Sequence, residues 1–334
     1  MTDRECVAFL QAVLPRLGLR WLGFRKVHKL VCKRLGRRLK ELGLPGLSAY
    51  REFLERESSE WANLDRLCLI PISRFYRDRG VFGNLEEIVL PALAGAGRTR
   101  RGLLCWSACC ASGEEPYTLA VVWRLRLQER FPEVEPRIVA TDIDARLLER
   151  ARAGCYSISS LKELPPGLRA MAFTRQGNRL CIRPKFRVVE FLEQDIRKEV
   201  APGLFDLILC RNAVLTYFAP SLQREAMERV VSRLRPGGAL VIGVHESLPE
   251  GLAGLEPWPG TRAIFRKRSE EATSRRQDKQ MNRGDAERSR TKIKPPGRQA
   301  RQESDFPFAC HSAFIGGNYY RDRWPGDGLE PLCR

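Results

Sequence analysis

No apolar run in the 334 residues approaches the roughly 20 that a membrane-spanning helix needs. Met1 to Pro15 likewise contains no basic segment leading into a long apolar one. The sequence therefore predicts neither a membrane span nor a secretory signal. Histidine is scarce, with only His28, His245 and His311 far apart along the chain, and no Cys-x-x-Cys pair accompanies them. Those spacings exclude the common zinc-ligand patterns, so no metal site is predicted. Cysteine itself is not scarce, but eleven is an odd number, and Cys105, Cys181 and Cys210 fall within apolar runs that read as buried strands. Reduced, mostly structural thiols fit that distribution better than a disulfide framework.

Acidic residues are absent from one long stretch. Between Arg16 and Lys40 stand ten Lys or Arg residues and no Asp or Glu. Leu30, Val31, Leu35 and Leu39 recur among them at helical spacing, so residues 16–40 read as an amphipathic helix with one basic face. That face is either a solvated surface or a dock for an acidic partner, whose encounter it would speed. A second helix is predicted over 47–57. The whole chain carries 58 Lys plus Arg against 40 Asp plus Glu, a balance of +18, with 43% hydrophobic residues. It is therefore globular, basic and long enough for about two domains. The sequence holds no recognised nucleic-acid-binding module, so nucleic acid is not read as the partner.

From Arg101 to about Lys267 short apolar runs alternate with helical patterns. The runs are 103–106, 137–141, 188–192, 205–210 and 239–244, and helices are predicted over 114–129, 144–153 and 220–234, the last stopped by Pro236-Gly237-Gly238. Alternation of this kind predicts an α/β, doubly wound, Rossmann-like sheet, with ligands at the carboxyl ends of its strands. Beyond Arg268 the core-forming residues vanish, and thirteen basic residues face five acids between Arg266 and Arg301. Residues 269–334 therefore read as a basic, disordered tail. The expected organisation is a helical, basic domain over 1–80, a cofactor-binding domain over 81–268, and that tail.

Chemistry concentrates in Trp106-Ser-Ala-Cys-Cys-Ala-Ser-Gly-Glu-Glu-Pro-Tyr117. Small residues between a strand and a helix let the backbone approach a nucleoside closely. A phosphate cradle is excluded, because no Gly-x-x-x-x-Gly-Lys is present and Glu114 and Glu115 would repel phosphate. A cationic nucleoside suits those carboxylates, and S-adenosylmethionine carries both an ammonium and a sulfonium. In Ala140-Thr-Asp-Ile-Asp144, one aspartate can accept from ribose hydroxyls and the other can cap the next helix. Asp142 is assigned to the ribose and Asp144 to the cap, with the reverse left open.

These blocks, followed by Cys210-Arg-Asn212 and Pro236-Gly-Gly238, resemble the CheR-type methyltransferases, which methylate chemoreceptor glutamates using S-adenosylmethionine. The resemblance spans roughly Phe9 to Lys267. It implies a class I methyltransferase domain behind a small helical domain, working in cytoplasmic signal transduction. It further implies cofactor contacts at Ser73, Arg77, Ala108, Glu114, Asp142, Asp195, Ile196, Cys210 and Arg211. Arg77 and Tyr217 are expected to position the reactants, and the basic helix 16–40 to dock an acidic protein substrate. The chain departs from the family pattern at Cys109, where glycine or alanine is usual, at Pro71, in the five-residue step from Asn212 to Tyr217, and in Gly243-Val-His-Glu246. The residues also accommodate a methyltransferase with another acceptor, such as a small acid or another macromolecule, and a nucleoside-binding regulatory module without activity.

Overall fold

The computed structural model describes residues 1–97 and 102–268, so the basic tail expected over 269–334 lies outside the described residues. The N-terminal part is helical: α1 (Asp3–Val13), α2 (Trp21–Phe24), α3 (His28–Glu41), α4 (Leu47–Arg56) and α5 (Glu60–Leu67). Thr2 and Glu5 close a capping box on α1, satisfying two amides that the helix leaves unpaired. Val31, Leu35 and Leu39 of α3, Tyr50 and Leu54 of α4 and Leu64 of α5 bury their apolar faces in one cluster.

The single helix expected over 16–40 is broken. Gly18, at φ 67°, ends a 3-10 turn over Leu14–Leu17. Leu19 then pairs as an isolated bridge with Phe218, and the Arg20 amide donates to the Tyr217 carbonyl. Amides spent on another segment cannot continue a helix, so the regular basic helix begins only at His28.

After α6 (Arg79–Asn84), a wider π turn over Leu85–Val89 and α7 (Leu90–Gly97), the chain enters the sheet. The strands among the described residues are β1 (Gly102–Ala108), β2 (Glu135–Asp142), β3 (Cys155–Ser157), β4 (Phe173–Gln176), β5 (Arg179–Ile182), β6 (Val189–Glu193), β7 (Phe205–Cys210), β8 (Leu234–Val241), β9 (Leu255–Pro257) and β10 (Ile264–Lys267). Seven form one sheet in the order β6-β2-β1-β7-β8-β10-β9, in which β10 alone runs antiparallel to the rest. The helices between them are α8 (Glu114–Val122), α9 (Ala145–Ala153), α10 (Pro166–Ala172), α11 (Val214–Tyr217) and α12 (Pro220–Ser232). All six residues of β7 are buried, as expected of a central strand covered on both faces. The doubly wound class I arrangement is thus present.

Three details differ from the sequence reading. Pro236-Gly237-Gly238 lies inside β8, where the register against β7 shifts, and a Cβ on Gly238 would sit 2.9 Å from the Arg235 carbonyl oxygen. A second, antiparallel sheet, β3-β5-β4, occupies residues 155–182, where only the surroundings of Cys181 read as strand. Its other strands are too short, and partly too polar, to show a period. Finally, the expectation of uniformly reduced thiols is corrected: Cys6 bridges Cys32, and Cys155 bridges Cys181. Tertiary packing brings α1 onto α3, and the antiparallel register sets Cys155 directly opposite Cys181. Cys68, Cys105, Cys109, Cys110 and Cys210 are free thiols.

Candidate active site

The chain leaves β1 toward β2 on one side and later fills β7 on the other, so the sheet's switch point lies between β1 and β7. A crevice outside the carboxyl ends of the strands at such a point is the expected ligand site. Backbone strain concentrates here. Tyr76, Asp78, Cys109, Ala111 and Asn212 all hold φ between 49° and 63°, where residues other than glycine seldom settle. The cause is visible beyond β1: the Cys110 amide donates to the Thr141 carbonyl (2.9 Å) and the Ala111 amide to Asp142 Oδ2 (2.8 Å), lacing the loop to the tip of β2. Cys109 sits in this loop at φ 56°, which explains why a smaller residue is the usual occupant.

Of the sequence-predicted residues, Ser73, Arg77, Asp142, Asp195, Ile196, Arg211 and Tyr217 line one cavity, together with Cys109 and Glu115. Ala108, Glu114 and Cys210 do not line it. Ala108 and Cys210 are buried partners at the ends of β1 and β7. Glu114, the first residue of α8, is buried with its carboxylate accepting from Ser112 Oγ at 3.0 Å. Burial pushes the Glu114 carboxyl up, opposed by hydrogen bonds that include the hydroxyls of Ser112 and of cavity-lining Ser73. Asp144 caps α9 by accepting from the Arg146 amide at 3.0 Å. Asp142 is left facing the cavity, its carboxyl raised by burial against the pull of its backbone donors.

At the far end, Asp195 belongs to a chain of charges. Arg197 donates from Nε and Nη2 to Asp195 (2.9 and 3.0 Å) and from Nη1 and Nη2 to Asp65 of α5 (2.9 and 2.8 Å). Burial alone would raise the Asp195 carboxyl, but the Arg197 hydrogen bonds outweigh it and hold it below its ordinary range. Next to it, Gln194 lines the cavity with a buried Oε1 that has no hydrogen-bond partner, an acceptor left over for a ligand donor.

Arg211 differs from its sequence role as a possible ligand cation. It is 6% exposed, and its guanidinium donates to Glu115 (2.9 Å), Asp78 (2.7 Å) and the Arg77 carbonyl (2.9 Å). Two carboxylates already neutralise it, so its work is to hold the strained Tyr76–Asp78 turn. Arg77 donates to the Ile72 carbonyl at 3.1 Å, and its charge is felt by Tyr217, whose hydroxyl burial pushes up while Arg77 acts the other way. Across the crevice, Glu246 accepts from the amides of Asn212 (2.9 Å) and Gly243 (2.7 Å) and from the Thr216 hydroxyl. A Cβ on Gly243 would lie 2.7 Å from Glu246 Oε2, so glycine is what admits this carboxylate.

Sequence reasoning missed Asp65, Gln194 and Arg197, and gave Glu115, although noted with Glu114 as a carboxylate suited to a cation, no contact of its own. Only Glu115, inside the small-residue block, carried a local signal; the others meet the site through tertiary packing. The basic face is also smaller than its count of ten. Arg16 pairs with Glu55, Arg20 and Arg34 donate to backbone carbonyls, and Arg38 pairs with buried Glu60. Lys29, Lys33, Arg37 and Lys40 remain on the exposed face of α3, along a groove that also contains Asp3.

The donor set fits a sulfonium nucleoside. The carboxylates of Glu115, Asp142 and Asp195 line the cleft among many apolar side chains, and the unpaired Gln194 amide oxygen stands beside Asp195. Among the described residues no group of three His, Cys, Asp or Glu could hold a metal ion, and no helix is long and apolar enough to cross a membrane.

A family profile described as "CheR methyltransferase, SAM binding domain" matches residues 72–263. The chemotaxis protein methyltransferase of Listeria monocytogenes serovar 1/2a is 36% identical over 203 residues, covering 60% of this chain and 75% of that protein. An uncharacterized 104.1 kDa protein of Rhodobacter capsulatus is 34% identical over 221 residues, 65% of this chain, although the chain spans only 23% of that protein's length. Among solved structures, the N-methyltransferase NodS of Bradyrhizobium japonicum WM9 in complex with S-adenosyl-L-homocysteine is 17% identical, with a TM-score of 0.32, covering 58% of this chain and 91% of that one.

Proposed function

The chain belongs to the CheR methyltransferase family, and from that membership we propose that it esterifies glutamate carboxylates of chemoreceptor proteins in the cytoplasm. It is an S-adenosylmethionine-dependent methyltransferase, and the glutamate acceptor is suggested by the names of relatives such as the Listeria chemotaxis protein methyltransferase. One arrangement carries the reading: Asp142 and Asp195 face the same cleft as Arg77 and Tyr217, at the sheet's switch point.

Bound there, S-adenosylmethionine supplies an electrophilic methyl group on a sulfonium. Asp142 would accept from the ribose hydroxyls and Asp195 from the adenine amino group, beside Ile196. Ser73, backed by the buried Glu114 carboxylate, would receive the methionine ammonium and Arg77 its carboxylate, while Ala108, Cys210 and Arg211 shape the wall behind. An acceptor carboxylate is ionised at neutral pH and needs no general base. The protein's task is therefore alignment and exclusion of water, for which Tyr217 and Arg77 frame the acceptor side. The exposed cations of α3 would dock the acidic substrate segment.

Calorimetry with S-adenosylhomocysteine, paired with label transfer from methyl-labelled S-adenosylmethionine to a purified chemoreceptor signalling fragment, tests this. Binding together with base-labile label on the fragment is expected. Base-stable label would point to another acceptor, and absence of binding would reject the enzyme reading altogether.

A further inference from the structure

We propose that Arg20, in the N-terminal helical region, is a positioning residue for Tyr217, so that this region forms part of the active-site wall as well as a docking surface. The inference rests on the placement of Tyr217 beside the acceptor.

Tyr217 ends α11, a single turn too short to hold itself in place. Its three terminal carbonyls point out of the helix with no partner inside it. Arg20 reaches all three: the backbone amide donates to the Tyr217 carbonyl (2.9 Å), Nε to Thr216 (3.1 Å) and Nη2 to Leu215, which also accepts from Gln223 Nε2 (3.0 Å). A cation at a helix C-terminus also suits the negative end of the helix dipole. The neighbours of Arg20 extend the grip. The Ala219 amide donates to the Gly18 carbonyl at 2.8 Å, and the Phe24 ring meets the Tyr217 ring edge-on at 5.2 Å. Gly23 packs so closely that an added Cβ would collide with the Thr216 carbonyl.

From another side the turn is tied by Glu246, which accepts from the Asn212 amide just before it and from the Thr216 hydroxyl within it. The turn is therefore clamped between the segment after β8 and the N-terminal region. Replacing the Arg20 side chain leaves the Glu246 side and the backbone amide bond to Tyr217 intact and removes the guanidinium bonds to Leu215 and Thr216, loosening the end that carries Tyr217. A side chain that aligns reactants is sensitive to small displacements, so the loss should appear in turnover before affinity.

The test compares Arg20→Gln with Gly23→Ala, which strikes the same contact from the backbone. Nitration by tetranitromethane, mapped by mass spectrometry, reads Tyr217 directly and needs no methyl transfer. Faster nitration of Tyr217 is expected in both variants, with the fully buried Tyr50 and Tyr117 unchanged. In the transfer assay kcat should fall about tenfold, with KM for the acceptor and Kd for S-adenosylhomocysteine unchanged. Arg20→Lys, which keeps the charge but cannot span two carbonyls, should fall between. Unchanged Tyr217 nitration in both variants overturns the proposal, as does a parallel rise at all three tyrosines, which would mean general loosening. If the wild-type protein transfers no methyl group to any receptor fragment, the proposed acceptor fails while the nitration result still decides the role of Arg20.

Discussion

Residues that break local rules mark the site most sharply. The positive φ values of Cys109 and Ala111 lie in the loop that Thr141 and Asp142 hold by its amides, and those of Tyr76 and Asp78 flank the backbone that Arg211 holds. Strain of this kind persists only where surrounding contacts over-determine it. Gly113 shows the opposite case, a glycine where nothing else fits. Its φ is 86°, and a Cβ would lie 2.9 Å from the Ala151 Cβ and 3.1 Å from the Phe191 ring. Gly113→Ala should therefore destabilise the fold by about 2 to 4 kcal/mol, seen as a lower urea midpoint, and weaken S-adenosylhomocysteine binding with it. Glu60 accepts from Arg38 (2.9 and 2.7 Å), Tyr50 (2.8 Å) and Asn63 (2.9 Å). The Arg38 hydrogen bond, foremost among these, holds its carboxyl below the ordinary 4.5. Unfolded, the group takes up its proton near 4.5, so the stabilisation is complete above that pH and is lost as pH falls through the lower folded value. Glu60→Gln should flatten the fall in stability below about pH 4.5 in acid titrations followed by circular dichroism.

At the scale of elements, α3 divides its cations between two jobs. Arg34 donates to the carbonyls of Leu67 (2.9 Å) and Leu69, and Arg38 closes onto Glu60, so both hold α3 to α5 and to the short segment after its last turn. Lys29, Lys33, Arg37 and Lys40 face outward. Reversing these four to Glu should lower kcat/KM for an acidic receptor fragment roughly a hundredfold at low salt, with the deficit shrinking as salt rises and cofactor affinity unchanged. Reversing Arg34 and Arg38 should instead lower the melting temperature, because Glu60 would then be buried beside like charge. The sequence showed the amphipathic period of this helix, but not which cations the fold consumes. That depends on α5, whose acid Glu60 is distant in sequence and adjacent in space.

Over the whole molecule, the N-terminal region and the sheet meet along one wall of the cleft. Asp65 reaches Asp195 through Arg197, and Leu19 and Phe24 line the same cavity as Asp142. The two disulfides stiffen parts outside this seam: Cys6–Cys32 within the N-terminal helices and Cys155–Cys181 within the small antiparallel sheet. Each spans 26 residues, so each should contribute about 3 to 4 kcal/mol by restricting the unfolded chain. Thermal unfolding followed with and without reductant should show a lower midpoint when reduced, and replacing Cys155 and Cys181 together by Ala should reproduce part of that loss.

The doubly wound core, the small-residue turn after β1 and the aspartate at the tip of β2 are all legible along the chain. Each is encoded by neighbours in the chain: apolar runs, glycine and its flanking small residues, and an N-cap directly after the strand. Tertiary structure alone decided that Arg211 is neutralised by Glu115 and Asp78, that Arg197 joins Asp195 to Asp65, and that Arg20 caps the turn bearing Tyr217. These pairings join residues far apart in sequence. The polar groups involved must find partners when folding removes them from water, and the pattern of one segment does not say which distant group will meet that demand.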